Sequence, residues 1–158
     1  MERYAESNVW VLASPEKVFA RLDDQRTLSA HMAQRSWMTL GSKFRIDLDQ
    51  WAGRRVGSVM GLSGRLVGLP LRLKEVVTQH EPGVRKEWMT LEEPRLLVIG
   101  SYRMGFTLKP EGNGTRLTVW IAYHLPTGRF TRVLGWMLGA LYARWCVRRM
   151  AQDARKDS

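Results

Sequence analysis

The stretch from Thr127 to Ser158 leaves this chain few folds to choose from. It contains no proline and is rich in Leu, Ala, Met and Arg, all good helix formers. Trp136, Ala140, Ala143, Val147, Met150 and Ala154 recur at steps of three or four, which predicts one helical face. Most of these side chains are small, so a second layer can approach closely. Leu134, Leu138, Leu141 and Trp145 form another apolar stripe, offset by about a quarter to a third of a turn. Arg144, Arg148 and Arg155 lie toward that second side. Nearly everything upstream reads as strand. One long helix and one antiparallel sheet must then cover each other, because neither can hide its apolar face alone.

Val9 to Leu12 form a short apolar strand. Ser14 is placed to cap a helix that opens with Pro15 and buries Val18, Phe19 and Leu22. Asp23-Asp24 ends it, and a short second helix is expected through Leu28, Ala30, His31 and Met32. From Lys43 to Asp49 the chain alternates: Phe44, Ile46 and Leu48 face one way, charged residues the other. Strands are expected again over 55–62, 71–79 and 84–91, with a turn at Glu81-Pro82-Gly83. A long strand is read over 96–108. Asn113-Gly114 marks a hairpin, and a last strand runs from Thr115 to Leu125.

The chain has 158 residues, enough for one domain with a real core. A net charge of +10 permits anionic partners, but no basic run exceeds two residues and no nucleic-acid-binding signature accompanies them, so nucleic acid is not expected. With one cysteine, Cys146, no internal disulfide forms. That fits a reducing compartment, and Cys146 reads as a small buried hydrophobe. The N-terminus has no apolar signal core, and the run from Val133 to Val147 is broken by Arg144 and too short to span a bilayer. A soluble, cytoplasmic protein is expected. Seven Trp and eight Met are many for this length; they fit either core filling or a roomy apolar cavity. No G-x-S-x-G, H-E-x-x-H, C-x-x-C or Walker A loop occurs. His31, His80 and His124 lie far apart, so neither a metal nor a cofactor is expected.

Several stretches resemble the START and birch-pollen-allergen superfamily, also called SRPBCC or polyketide cyclase/dehydrase and lipid-transport proteins. They are Ala13-Ser14-Pro15-Glu16-Lys17-Val18-Phe19, the span from Val76 through Pro82-Gly83 to Trp88, the run from Leu97 to Phe106, and Tyr142-Ala143-Arg144-Trp145-Cys146. Together with the element order, the last two are similar to uncharacterised bacterial members, and the likeness covers nearly the whole chain. The resemblance implies an α+β helix-grip fold, in which a curved seven-stranded antiparallel sheet wraps the C-terminal helix. It also implies a cavity between them that commonly holds a hydrophobic ligand. His31, in the expected second helix, would then border the mouth.

Strand parity adds the lining. Tyr102, Met104 and Phe106 share one inward face; Val119, Ile121 and Tyr123 share another. Met60 joins from the early strands, and Trp136 and Ala140 from the helix. Trp88 shares its face with Lys86 and Thr90 and needs a twist to turn in. Such a pocket favours a lipid-like or aromatic molecule, with the tyrosine hydroxyls orienting it. Glu75 shares a face with Leu71, Leu73 and Val77, and inside it would need a partner or a proton. Arg103 has the opposite parity and is expected outside. No catalytic residue stands out. Carriage of a small hydrophobic molecule is the favoured reading, a cyclase- or dehydratase-like enzyme the alternative. A third possibility is a module docking on a membrane or a second copy through Leu134, Leu138, Leu141 and Trp145.

Overall fold

The structure is a computed structural model and describes residues 1–24, 44–66 and 69–155. Among the described residues, seven strands and two helices follow one another as β1 (Arg3–Val11), α1 (Pro15–Asp23), β2 (Phe44–Leu48), β3 (Val59–Leu66), β4 (Leu69–Glu81), β5 (Arg85–Thr90), β6 (Tyr102–Glu111), β7 (Gly114–Tyr123) and α2 (Arg129–Asp153). The strands make one antiparallel sheet in the order β1-β7-β6-β5-β4-β3-β2. Its inner face carries the core, and α2 packs mainly across β1 and β7. This is the expected helix-grip α+β fold.

Local chemistry explains most boundaries. Ser14 caps α1 by accepting from the Lys17 amide at 3.4 Å, with Pro15 in the first turn. β1 begins earlier than its apolar core suggests, at Arg3, because alternate residues on a sheet edge are free to be polar. β3 starts at Val59, later than expected. The preceding residues wrap around Asp49, whose carboxylate accepts from the Ser58 hydroxyl at 2.7 Å and the Val59 amide at 2.8 Å. The last hairpin turns at Gly112-Asn113, one residue before the predicted pair, and Gly114 is already in the ladder.

Two corrections bear on the interior. The long strand read over 96–108 begins only at Tyr102. Residues 91–101 instead run irregularly beneath α2, tied by the Gly100 amide to the His124 carbonyl at 2.8 Å and by a bridge between Arg72 and Arg95. The helix face that meets them is not the one led by Trp136. Trp136 is 68% exposed. Gly135 and Gly139 face inward, so close that a Cβ would stand 2.6 Å and 2.9 Å from the Val98 carbonyl oxygen. From Ala143 onward the predicted face holds: Ala143, Val147, Met150 and Ala154 are all buried.

Candidate functional site

The inner face of β4 presents Leu71, Leu73, Glu75 and Val77, all buried. β5 adds Lys86, Trp88 and Thr90, also buried, so Trp88 needs no special twist. Its face is inward throughout, Lys86 included. The register sets Trp88 against Met104 and Lys86 against Phe106 on β6, and Met104 against Ile121 on β7.

Glu75 is the polar centre of this wall. The Tyr102 hydroxyl donates a short hydrogen bond to its Oε1, and the Trp88 side chain is a second hydrogen-bond partner. Both are neutral. Burial pushes the Glu75 carboxyl up to about 7; the bonds from Tyr102 and Trp88 and the charge of Lys86 only moderate that rise. Burial and the adjacent carboxylate in turn hold the Tyr102 phenol well above its ordinary range. The helix supplies the opposite wall. Tyr142 and Cys146, one turn apart, are hydrogen-bonded to each other and feel the Glu75–Tyr102 pair electrostatically. Burial raises the Cys146 thiol to about 12, so it stays a neutral thiol.

A second polar cluster lies along the same face. A β-bulge between Val77 and Gln79 reverses the parity of β4, so His80 pairs with Lys86 and points inward. Lys86, fully buried, donates to Asp23 Oδ1 at 2.9 Å, and His80 Nε2 lies 2.9 Å and 3.0 Å from the two Asp23 oxygens. This cluster latches the end of α1 to the sheet. Phe19 stacks edge-on against His80 and packs on Phe106, which Trp88 also contacts.

The expected lining divides as follows. Met60, Trp88, Met104, Phe106, Val119, Ile121 and Tyr123 are buried in one continuous core, with Tyr102 packed against it. Ala140 is half-buried, whereas Trp136 points to solvent and leaves the set. Glu75 is inside, and Arg103 is outside, paired with Glu2 at 3.2 Å. His31 lies outside the described residues. On the outer stripe Leu138 and Leu141 are exposed, while Leu134 and Trp145 are half-buried. Sequence reasoning missed Tyr142, Lys86 and the inward turn of His80. The Tyr142/Cys146 spacing of one helical turn, on the side of Gly135 and Gly139, was the available signal for the first. Nothing in the sequence marks the bulge.

A groove of about 510 Å³ opens at the N-terminal end of α2. Leu69, Leu71, Leu96, Leu97, Pro126 and Phe130 are among the residues that line it. Leu71 continues inward through Leu73 to Glu75 along one face of β4, a span of roughly 13 Å at strand rise. Among the described residues no group of three or more His, Cys, Asp or Glu side chains is placed to hold a metal ion. None of their helices is long and apolar enough to cross a membrane.

The model of the family described as polyketide cyclase/dehydrase and lipid transport matches residues 5–156. No curated protein sequence matches the chain at a significant level. Among solved structures, the Zhui aromatase/cyclase from Streptomyces sp. R1128 aligns with TM-score 0.67 at 15% identity, covering 98% of this chain and 94% of that one. A protein from Thermus thermophilus aligns with TM-score 0.66 at 15% identity, covering 96% and 97%. Truncated norcoclaurine synthase from Thalictrum flavum aligns with TM-score 0.62 at 16% identity, covering 96% and 92%. At these identities the likeness is one of fold.

Proposed function

The chain belongs to the polyketide cyclase/dehydrase and lipid transport family, and from that premise we propose that it binds one small hydrophobic molecule between its sheet and α2. The ligand we infer carries a hydroxyl or carbonyl group and reaches the interior by the groove beside Phe130. One observation carries this reading: Glu75, a buried carboxyl whose hydrogen-bond partners among the described residues are both neutral, set in an apolar wall. A buried polar group is costly unless it is bonded. Such a group suits recognition of a polar handle on an apolar body.

A second reading rests on the same residue. A carboxyl near 7 is divided between its two forms at neutral pH, which suits proton transfer to or from a bound molecule. Tyr102 stands beside it as a donor. Two of the fold neighbours bear enzyme names, aromatase/cyclase and norcoclaurine synthase. That is analogy of fold, and the second reading rests on Glu75 and Tyr102.

The test is native mass spectrometry of freshly purified protein, followed by titration with hydroxylated aromatic and fatty-acid probes while tryptophan emission is read. We expect a co-purified or added ligand at one per chain, and weaker binding of hydroxylated probes by Glu75→Leu. Failure of every probe to bind, with nothing co-purified, overturns the binding reading. Turnover of a bound probe that Glu75→Gln abolishes would establish the second reading.

A further inference from the structure

The first half of α2 is apolar nearly all the way round, yet much of it is bare. Phe130 is 73% exposed, Trp136 68% and Met137 63%; Val133, Leu138 and Leu141 are exposed as well. At ideal helical geometry these six span an arc of about 200°, far wider than the stripe a surface helix buries. Arg129 and Arg132 stand at its start, and Arg144 and Arg148 continue the exposed side beyond Leu141. The helix carries five arginines against a single acid, Asp153, at its far end.

We propose that this face of α2 docks on an anionic phospholipid bilayer, with its large apolar side chains in the interfacial region and the arginines on lipid phosphates. Charge decides the occupant. The apolar ridge is flanked by cations and the whole chain carries +10, which complements an anionic surface. A second copy is disfavoured by the same charges. A two-fold interface sets one patch against itself, and here that would bring arginine rows of like sign together. The helix is not long and apolar enough to cross the bilayer, so it lies in the plane of the surface. Phe130 belongs both to this ridge and to the groove at the end of α2. Docking therefore brings the groove to the lipid. The proposal stands whether or not the interior binds a ligand.

The experiment is co-sedimentation of the full chain with vesicles of phosphatidylcholine alone and of phosphatidylcholine mixed with phosphatidylserine. Partitioning to the mixed vesicles is expected to be at least about tenfold stronger and to fall as salt rises. Trp136→Glu with Met137→Glu abolishes it, as does Arg132→Glu with Arg144→Glu. These residues are exposed, so circular dichroism and the melting temperature stay near those of the parent. Equal, negligible binding to both vesicles by folded protein overturns the proposal. So does anionic binding that Trp136→Glu with Met137→Glu leaves intact. A concentration-dependent dimer in ultracentrifugation that the same variant dissolves assigns the face to a second copy instead.

Discussion

Two carboxyls, the half-buried Asp23 and the buried Glu75, both feel the charge of Lys86 but are held by different partners. Asp23 accepts from Lys86 and faces His80, so its charge has a cation in contact. Glu75 feels Lys86 only at a distance, and its hydrogen bonds come from Tyr102 and Trp88. The first is a closed arrangement that ties α1 to the sheet. The second keeps a carboxyl near its titration point inside an apolar wall. What separates them is the charge of the nearest donor and the deeper burial of Glu75. A saturated ion pair has little left to offer a ligand; a carboxyl held by two neutral donors still has lone pairs to share.

The largest effect expected from breaking this contrast is that of Asp23→Ala. It leaves Lys86 buried without its carboxylate and costs about 3–5 kcal/mol in urea unfolding. A loss under about 1 kcal/mol would mean that the latch is not the structural member of the pair.

The next concerns pH. The Glu75 carboxyl is raised from 4.5 to about 7 in the folded state. A raised carboxyl favours folding in its protonated form. Its stabilising effect, relative to the charged form, is therefore complete below pH 4.5 and lost as pH rises through about 7. The stability difference between the parent and Glu75→Gln should shift by about 3 kcal/mol across that window, in the direction of a weaker parent at high pH. Subtracting the variant cancels every titration that the two proteins share. A difference independent of pH would show that Glu75 is as well compensated as Asp23.

Tyr102→Phe sharpens the comparison from the donor side. The charged form of Glu75 loses a hydrogen bond, so the cost is about 1–2 kcal/mol above pH 7 and smaller at pH 5. An equal cost at both values would assign the phenol a packing role alone. The smallest effect is expected from the double variant Asp23→Leu with Lys86→Met. Removing both partners leaves no orphaned charge, and stability should stay within about 1–2 kcal/mol of the parent. A loss as large as that of Asp23→Ala would show that His80 depends on the pair.

The contrast was only half legible in the sequence. Glu75 could be seen as a polar residue on an apolar strand face, because alternation over Leu71, Leu73 and Val77 survives intact in β4. Lys86 could not. A lysine normally reports a solvated face, and only tertiary pairing with Asp23 permits it inside. His80 escaped because a one-residue bulge reverses the side on which it falls. The order of strands, the capping of α1 and the extent of α2 follow local patterns and were read correctly. Trp136 is expected inward because it falls at helical spacing with Ala140, Ala143, Val147 and Met150. Where a helix backbone meets another carbonyl, the fit selects glycine, and Gly135 and Gly139 displaced it. The run from Leu96 to Ser101 is apolar enough to be a strand, but its place beneath α2 leaves it irregular.

The buried thiol of Cys146 gives the protein a built-in clock. With its thiol near 12, only about one molecule in ten thousand carries a thiolate at pH 8, and that sulfur sits between helix and sheet. An alkylating reagent can therefore capture it efficiently only when α2 lifts and the group meets water. The rate of labelling then reports the frequency of that opening. Whatever holds the helix down, from inside the cleft or across its outer face, should lengthen the interval between captures.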